Sequence, residues 1–259
     1  MMKFKLWFKT YFKIILVVFL LLLIGSSVWF LFFRFDETAS GLSYLRTQKS
    51  KDIVQLKNDL ATRDQEELEQ MMGNGSLEIF DLFRDFLIFG DSRVYGFESY
   101  GFFPSENVLA DAGHTIMNID EGIETVKQRQ PKNLFFSYGV NDMGLNIGEN
   151  EGDPGYDVVY EEQIKKLLTV DPEAHVYVNS IIPATPAALQ KSPRWDKVDA
   201  FNAKIKAMCD RNGWTYIDND ALAQGGQANI YQEDGVHFLQ PFYSQWAENM
   251  YNTKKKADA

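Results

Sequence analysis

From Phe86 to the C-terminus the chain alternates short apolar runs with longer stretches whose apolar residues recur at helical spacing, and that alternation leaves few folds open. Residues 86–89, 108–110, 134–138, 176–182 and 215–217 read as buried strands. Residues 115–128, 156–168 and 195–212 read as amphipathic helices between them, with a last helix from Pro241 to about Lys254. Strand and helix in turn imply a parallel sheet covered on both faces. In such a sheet the working groups gather at the carboxyl ends of the strands, so the residues just after each run are the ones to inspect. A chain of 259 residues, 45% of them hydrophobic, can bury one such core rather than two large ones.

The N-terminus is suited to a different solvent. Residues 14–33 are Ile, Leu, Val, Phe and Trp, interrupted only by Gly25, Ser26 and Ser27. A helix of that length spans roughly 30 Å of hydrocarbon, so the segment reads as a transmembrane anchor. The competing reading is a cleaved signal peptide, whose apolar core is usually about 7 to 15 residues long and for which Thr38, Ala39 and Ser40 offer only a weak cleavage site. Lys3, Lys5, Lys9 and Lys13 precede the span while Arg34, Asp36 and Glu37 follow it, which keeps residues 1–13 in the cytoplasm and exports the rest.

Residues 34–84 read as a helical stem. Ile53, Leu56, Leu60, Leu68, Met71 and Met72 recur at near-helical spacing among charges, and Gly73-Asn74-Gly75 supplies a stop signal. A solvated spacer helix fits this better than a coiled-coil dimer, which needs a longer run of clean heptads. Leu77, Phe80 and Phe83 form a second amphipathic piece that either docks on the domain or lies on a membrane surface. Residues 85–254 form the globular domain and 255–259 a charged tail.

Composition removes several functions. A net charge of -10, with no cluster of Lys and Arg, argues against a nucleic-acid partner. Cys209 is the sole cysteine, which excludes an intrachain disulfide and a cysteine-built metal site. It shares a helix with Phe201, Ile205 and Met208 and reads as buried and inert. The three histidines lack metal-ligand spacing, so neither a metal nor an organic cofactor is expected.

The strand ends carry Gly90-Asp91-Ser92 after the first run, Gly113 after the second, Gly139-Val140-Asn141-Asp142 after the third, and Asp234-Gly235-Val236-His237 before the last helix. Each is an ordinary turn signal by itself. Together, and in this order, they resemble the SGNH hydrolases, also called GDSL-like esterases and lipases, over about residues 86–252. The resemblance implies a three-layer α/β/α, flavodoxin-like domain with a parallel five-stranded sheet. It implies Ser92 as nucleophile, His237 as base and Asp234 as the group holding the imidazole. The N–H groups of Ser92 and Gly113 and the side-chain amide of Asn141 would form the oxyanion hole. Arg93 departs from the pattern, standing where the family name records leucine.

The chemistry supports that assignment independently. A serine hydroxyl needs a neutral imidazole to take its proton, and a histidine of ordinary pKa near 6.5 can do so at physiological pH. Asp234, three residues before His237, is near enough in a tight turn to hold one ring nitrogen and stabilise the imidazolium. An oxyanion needs donors already aimed at it, each worth about 3 to 4 kcal/mol in the transition state. Arg93, Tyr95, His114 and Asp142 are candidate substrate-lining residues, although Asp91 and Asp142 are better suited to hydrogen-bonding loop backbone near the site. His175, which begins a strand, suits a surface role.

The expected reaction is therefore acyl-ester hydrolysis through an acyl-serine; the anchor and the resemblance to a family many of whose members deacetylate carbohydrates imply an O-acetylated glycan of the cell envelope or outside it as substrate. Lipid-ester hydrolysis and acyl transfer to a sugar hydroxyl keep the same residues. A catalytically silent, membrane-anchored adaptor is the alternative from another class. The acidic loop 144–156 disfavours strongly anionic substrates, and aromatic residues 95–103 serve either as a substrate wall or as core packing.

Overall fold

Five strands lie parallel in the order β2-β1-β3-β4-β5: β1 (Phe86–Gly90), β2 (Val108–Ala110), β3 (Asn133–Ser137), β4 (His175–Asn179) and β5 (Thr215–Ile217). The computed structural model describes residues 11–12, 14–30, 63, 66–67, 70–71, 73, 78–223 and 230–258. Between the strands run α1 (Ser92–Ser99), α2 (Ile123–Arg129), α3 (Val140–Leu145), α4 (Tyr156–Leu168), α5 (Pro186–Lys191) and α6 (Val198–Asn212). After β5 come α7 (Asp220–Ala223) and α8 (Phe242–Ala257). The chain leaves β1 for β2 on one side and then crosses to β3 on the other, so the topological switch point falls between β1 and β3, where such folds open a crevice.

Strand alternation divides the core in two. Leu87, Phe89, Leu134, Phe136, Val176 and Val178 face one layer, with Val126, Ile164, Leu167 and Ile205 from α2, α4 and α6. Phe86, Ile88, Phe135, Tyr177 and Ile217 face the other, with Val94 and Phe97 from α1 and Phe242, Tyr243, Trp246 and Met250 from α8. The architecture is the expected three-layer α/β/α sandwich. Cys209 is buried in the first layer, where desolvation pushes its thiol up to about 12.

Several boundaries differ from expectation, among them the helix expected over 195–212, which opens with 3-10 turns (Pro193–Lys197) before α6; three more have a local reason. Residues 115–128 are not one helix: Ile116–Gly122 is 3-10, capped by Thr115 and Asn118, and only then does α2 begin. Ile116, Ile119 and Gly122 are all buried, a spacing of three that suits the tighter helix. β4 stops at Asn179 because the Asn202 side chain takes over the backbone of Ile181, accepting from its N–H at 2.8 Å and donating to its carbonyl at 3.0 Å. α8 continues to Ala257, and the next residue, Asp258, accepts the Tyr177 hydroxyl proton at 2.7 Å.

The chain divides into two units, residues 1–67 and 68–259. In the first, residues 14–30 are helical and exposed; the end of the expected span, residues 31–33, lies outside the described residues. Among the described residues no helix is long and apolar enough to cross a membrane. Most of the expected stem also lies outside them, including Leu77. At its far end, Ile79–Leu82 forms a 3-10 turn whose Phe80 and Leu82, with Phe83, are buried in the α1/α8 layer. Of the two placements open to Phe80 and Phe83, docking on the domain is the one observed, and the folded unit takes in residues assigned above to the stem.

Candidate active site

Ser92 is the first residue of α1, so its N–H lies outside the intrahelical ladder. Asp91 caps the helix, its carboxylate accepting the Arg93 N–H at 2.9 Å. Its side chain is therefore spent on backbone, and burial raises its pKa.

His237 arrives from a loop with no long element of its own, and the loop is fixed bond by bond. The carboxylate of Asp234 accepts the N–H groups of Val236 at 2.8 Å and His237 at 3.0 Å. The His237 carbonyl accepts the Gln232 N–H at 2.8 Å, and the Gly235 carbonyl accepts the Thr185 N–H at 2.9 Å. Gly235 has φ +74°, and a Cβ there would stand 2.0 Å from Thr185 Oγ1, so neither the turn nor its seat against Thr185 admits a side chain. The result places His237 Nε2 2.8 Å from Ser92 Oγ and His237 Nδ1 2.5 Å from Asp234 Oδ2. Desolvation pushes the Asp234 carboxyl up, but the bonds from the His237 ring and the two N–H groups outweigh it and hold the pKa at about 2. Asp234 is thus a carboxylate across the working range, held against one side of an imidazole whose other side meets an alcohol.

The opposing wall comes from the loops after β2 and β3. Asn141, in the first turn of α3, donates from Nδ2 to the His114 carbonyl at 2.9 Å, which ties the amide to the loop holding Gly113. Gly113 has φ +79°, a left-handed conformation, and a Cβ there would meet nothing within 4 Å. Trp195 Nε1 donates to the Val140 carbonyl at 2.9 Å and steadies the start of α3 from outside. His114 is partly exposed and stands 3.7 Å from Glu121. Tyr95 is exposed on α1.

Two of the residues named as possible lining turn inward, Asp142 into the backbone role it is better suited to. Asp142 is fully buried and its Oδ1 accepts the Ile116 N–H at 3.0 Å, a backbone role rather than a substrate one. Burial pushes its pKa up to about 7, against the pull of the Ile116 N–H and with the Asp91 charge adding to the rise. Arg93 is also buried: Nε donates to the Val236 carbonyl at 2.9 Å, Nη1 to the Ile182 carbonyl at 2.5 Å, and the guanidinium lies 4.8 Å over the Phe238 ring. Burial lowers its pKa, while Asp91, Tyr231, Tyr243 and Asp234 act to raise it. Neither side chain lines a substrate cleft, because each satisfies backbone that the fold has already removed from water.

A parallel sheet with serine, histidine and aspartate joined at its rim defines a class, the serine hydrolases, here on a three-layer α/β/α sandwich. The sequence narrows this to a family. Residues 88–243 match the GDSL-like lipase/acylhydrolase family, more than half of the chain, and the protein belongs to that family of carboxylic ester hydrolases. Solved structures share the fold. A GDSL-like lipase from Bacteroides thetaiotaomicron is 16% identical over 73% of this chain and 97% of its own, with a TM-score of 0.52. The lipase/acylhydrolase from Enterococcus faecalis is 16% identical over 68% and 96%, with a TM-score of 0.51. A family 3 carbohydrate esterase from Clostridium thermocellum is 18% identical over 67% and 96%, with a TM-score of 0.50. Comparison with curated protein sequences returns no significant match.

Proposed function

We propose that the protein cleaves acyl esters, O-acetyl groups on cell-envelope or extracellular glycans first among them, through an acyl-enzyme on Ser92. The observation that carries this reading is the pair of short contacts of His237, 2.8 Å to the Ser92 hydroxyl and 2.5 Å to the Asp234 carboxylate. Ser92 Oγ attacks the ester carbonyl carbon as its proton passes to His237 Nε2, and Asp234 stabilises the imidazolium. The negative oxygen is met by the N–H groups of Ser92 and Gly113 and the amide of Asn141. The carbon–oxygen bond to the leaving alcohol then breaks, and His237 returns the proton to that alcohol. Water repeats the sequence, giving up a proton to His237 and releasing the acid and free Ser92.

The glycan reading draws on the apolar segment 14–33 as an anchor, the lysines before it, and an acidic domain on the exported side that has little affinity for polyanions. The fold shared with a carbohydrate esterase is compatible with it. One observation favours a lipid ester as the second reading. Tyr95, Met117, Leu145 and Leu239 are exposed, and each lies two to four residues after Ser92, Gly113, Asn141 or His237. Exposed apolar side chains so close in sequence to the reacting residues suit an acyl chain better than a sugar.

The test is the full-length protein with acetylated glycans and p-nitrophenyl esters from acetate to octanoate, beside Ser92→Ala and His237→Ala. Each variant is expected to lose activity on the order of 10^4-fold or more. Rates that rise with acyl length select the lipid substrate. Folded wild-type protein that a fluorophosphonate probe fails to label would leave the silent adaptor as the better account.

A further inference from the structure

We propose that Arg93 is a positioning residue for His237, its guanidinium holding the histidine loop in register with the helix that begins at Ser92. The inference rests on the serine-esterase reading above for its kinetic consequence, while its geometry stands by itself.

An arginine only 4% exposed is an expensive choice for a core position, and desolvating the charge is tolerated only where its donors are used. Here two of the three nitrogens are used, Nη2 having no partner among the described residues, and both chosen acceptors bear on the site. Nε–H donates to the carbonyl of Val236, the residue immediately before His237, and Nη1–H to that of Ile182, shortly beyond β4. Ser92 and Arg93 are adjacent, as are Val236 and His237, so the Arg93–Val236 bond and the Ser92–His237 bond close a small ring through the reacting atoms. The arginine backbone is fixed as well, its carbonyl accepting the Tyr243 hydroxyl proton at 2.7 Å. Phe238, directly after the base, lies under the guanidinium at 4.8 Å and is fully buried. Residues 236 and 238 are therefore both held by one side chain, and His237 between them has little freedom to move away from Ser92. Leucine at this place would fill the space and donate to neither carbonyl.

The experiment compares full-length wild type with Arg93→Leu, Arg93→Lys and Ser92→Ala. It measures kcat and KM on p-nitrophenyl acetate and the downfield proton resonance of the His237–Asp234 hydrogen bond. Because misplacement of a reacting group by an ångström costs about 100-fold, Arg93→Leu is expected to lower kcat about 30- to 100-fold with KM within about threefold. Its downfield resonance should broaden or vanish. Lysine can serve one carbonyl where the guanidinium serves two, so a loss of about 5- to 10-fold in kcat with a shifted resonance is expected. That variant carries the test should the leucine protein not fold. Wild-type kcat and an unaltered resonance in a folded variant, or a rise in KM with kcat preserved, overturns the proposal. Hydrolysis retained by Ser92→Ala would instead remove the serine mechanism, leaving the resonance to judge Arg93 alone.

Discussion

On the α1/α8 side of the sheet, among the described residues, the buried side-chain polar groups around the nucleophile and base are engaged, save one arginine nitrogen. Asp91, Arg93, Asp234, His237 and Tyr243 are joined, through Val236, over distances of 2.5 to 2.9 Å. On the α4 side, behind Asn141, the buried Asp142 carboxyl and Tyr156 hydroxyl meet one another only at loose geometry, and the Tyr160 hydroxyl is buried without a well-aligned partner among the described residues. The two aspartates mark the contrast, Asp234 held at about 2 and Asp142 raised to about 7. Geometry must be exact to tenths of an ångström where a proton changes hands. It need only be dry and well packed where an amide waits for a developing charge, and that side can carry a carboxyl that ionises near neutrality.

The largest effect that would test this division is expected from His237→Ala, with kcat lower on the order of 10^4-fold or more and melting temperature little changed. Its side chain is partly exposed, so the packing lost is small. A variant that kept a tenth of the activity would break the comparison, because the engaged side would then hold no reacting group. Asn141→Ala comes next on the other wall, where losing one oxyanion donor costs about 3 to 4 kcal/mol, or roughly 10^2- to 10^3-fold in kcat. It also removes the bond to His114, so a parallel measurement with Asn141→Asp, which cannot donate, separates lost donation from lost packing.

These residues differ in how readable they were from sequence. Ser92, Asn141 and His237 stand at strand and loop ends, where alternation of apolar runs predicts that function collects. The strands were legible because five short apolar runs stand between longer amphipathic stretches. Arg93 was misplaced because charge next to a motif reads as exposed, whereas here it satisfies backbone far away in sequence, at Val236 and Ile182; Asp142, read as better suited to loop backbone than to substrate, does take that role at Ile116. No local pattern encodes a partner 143 residues distant. The 3-10 stretch at Ile116–Gly122 was read as α-helix because Ile116, Ile119, Ile123 and Val126 also recur at the spacing of one α-helical face.

A third test lies in pH. Asp142 is neutral in the folded protein until about pH 7 and ionises near 3.8 when unfolded. Its contribution is therefore fully favourable below about 3.8, declines as pH rises, and is gone above about 7. Asp234 has the opposite sign: its stabilisation is present above 3.8 and lost as pH falls through about 2. Chemical denaturation from pH 4 to 8 is expected to show a decline that Asp142→Asn flattens, by on the order of 3 kcal/mol across the window. Asp91 beside it, and the Tyr156 and Tyr160 hydroxyls above it, stay in place in that variant. An unchanged slope would mean that the α4 side carries no titrating group and that the contrast between the two faces is one of packing alone.

The smallest expected effect separates packing from alignment on the engaged side. Tyr243 is fully buried among Phe97, Tyr100 and Trp246, and its hydroxyl grips the carbonyl of Arg93 rather than the guanidinium. Tyr243→Phe keeps the ring and leaves that carbonyl without its donor, which should lower stability by about 1 to 2 kcal/mol. The links from the guanidinium to Val236 and Ile182 remain, so kcat should stay within about twofold of wild type. If instead kcat fell as far as in Arg93→Leu with stability intact, the backbone of α1 rather than the arginine side chain would be what sets the distance between His237 and Ser92.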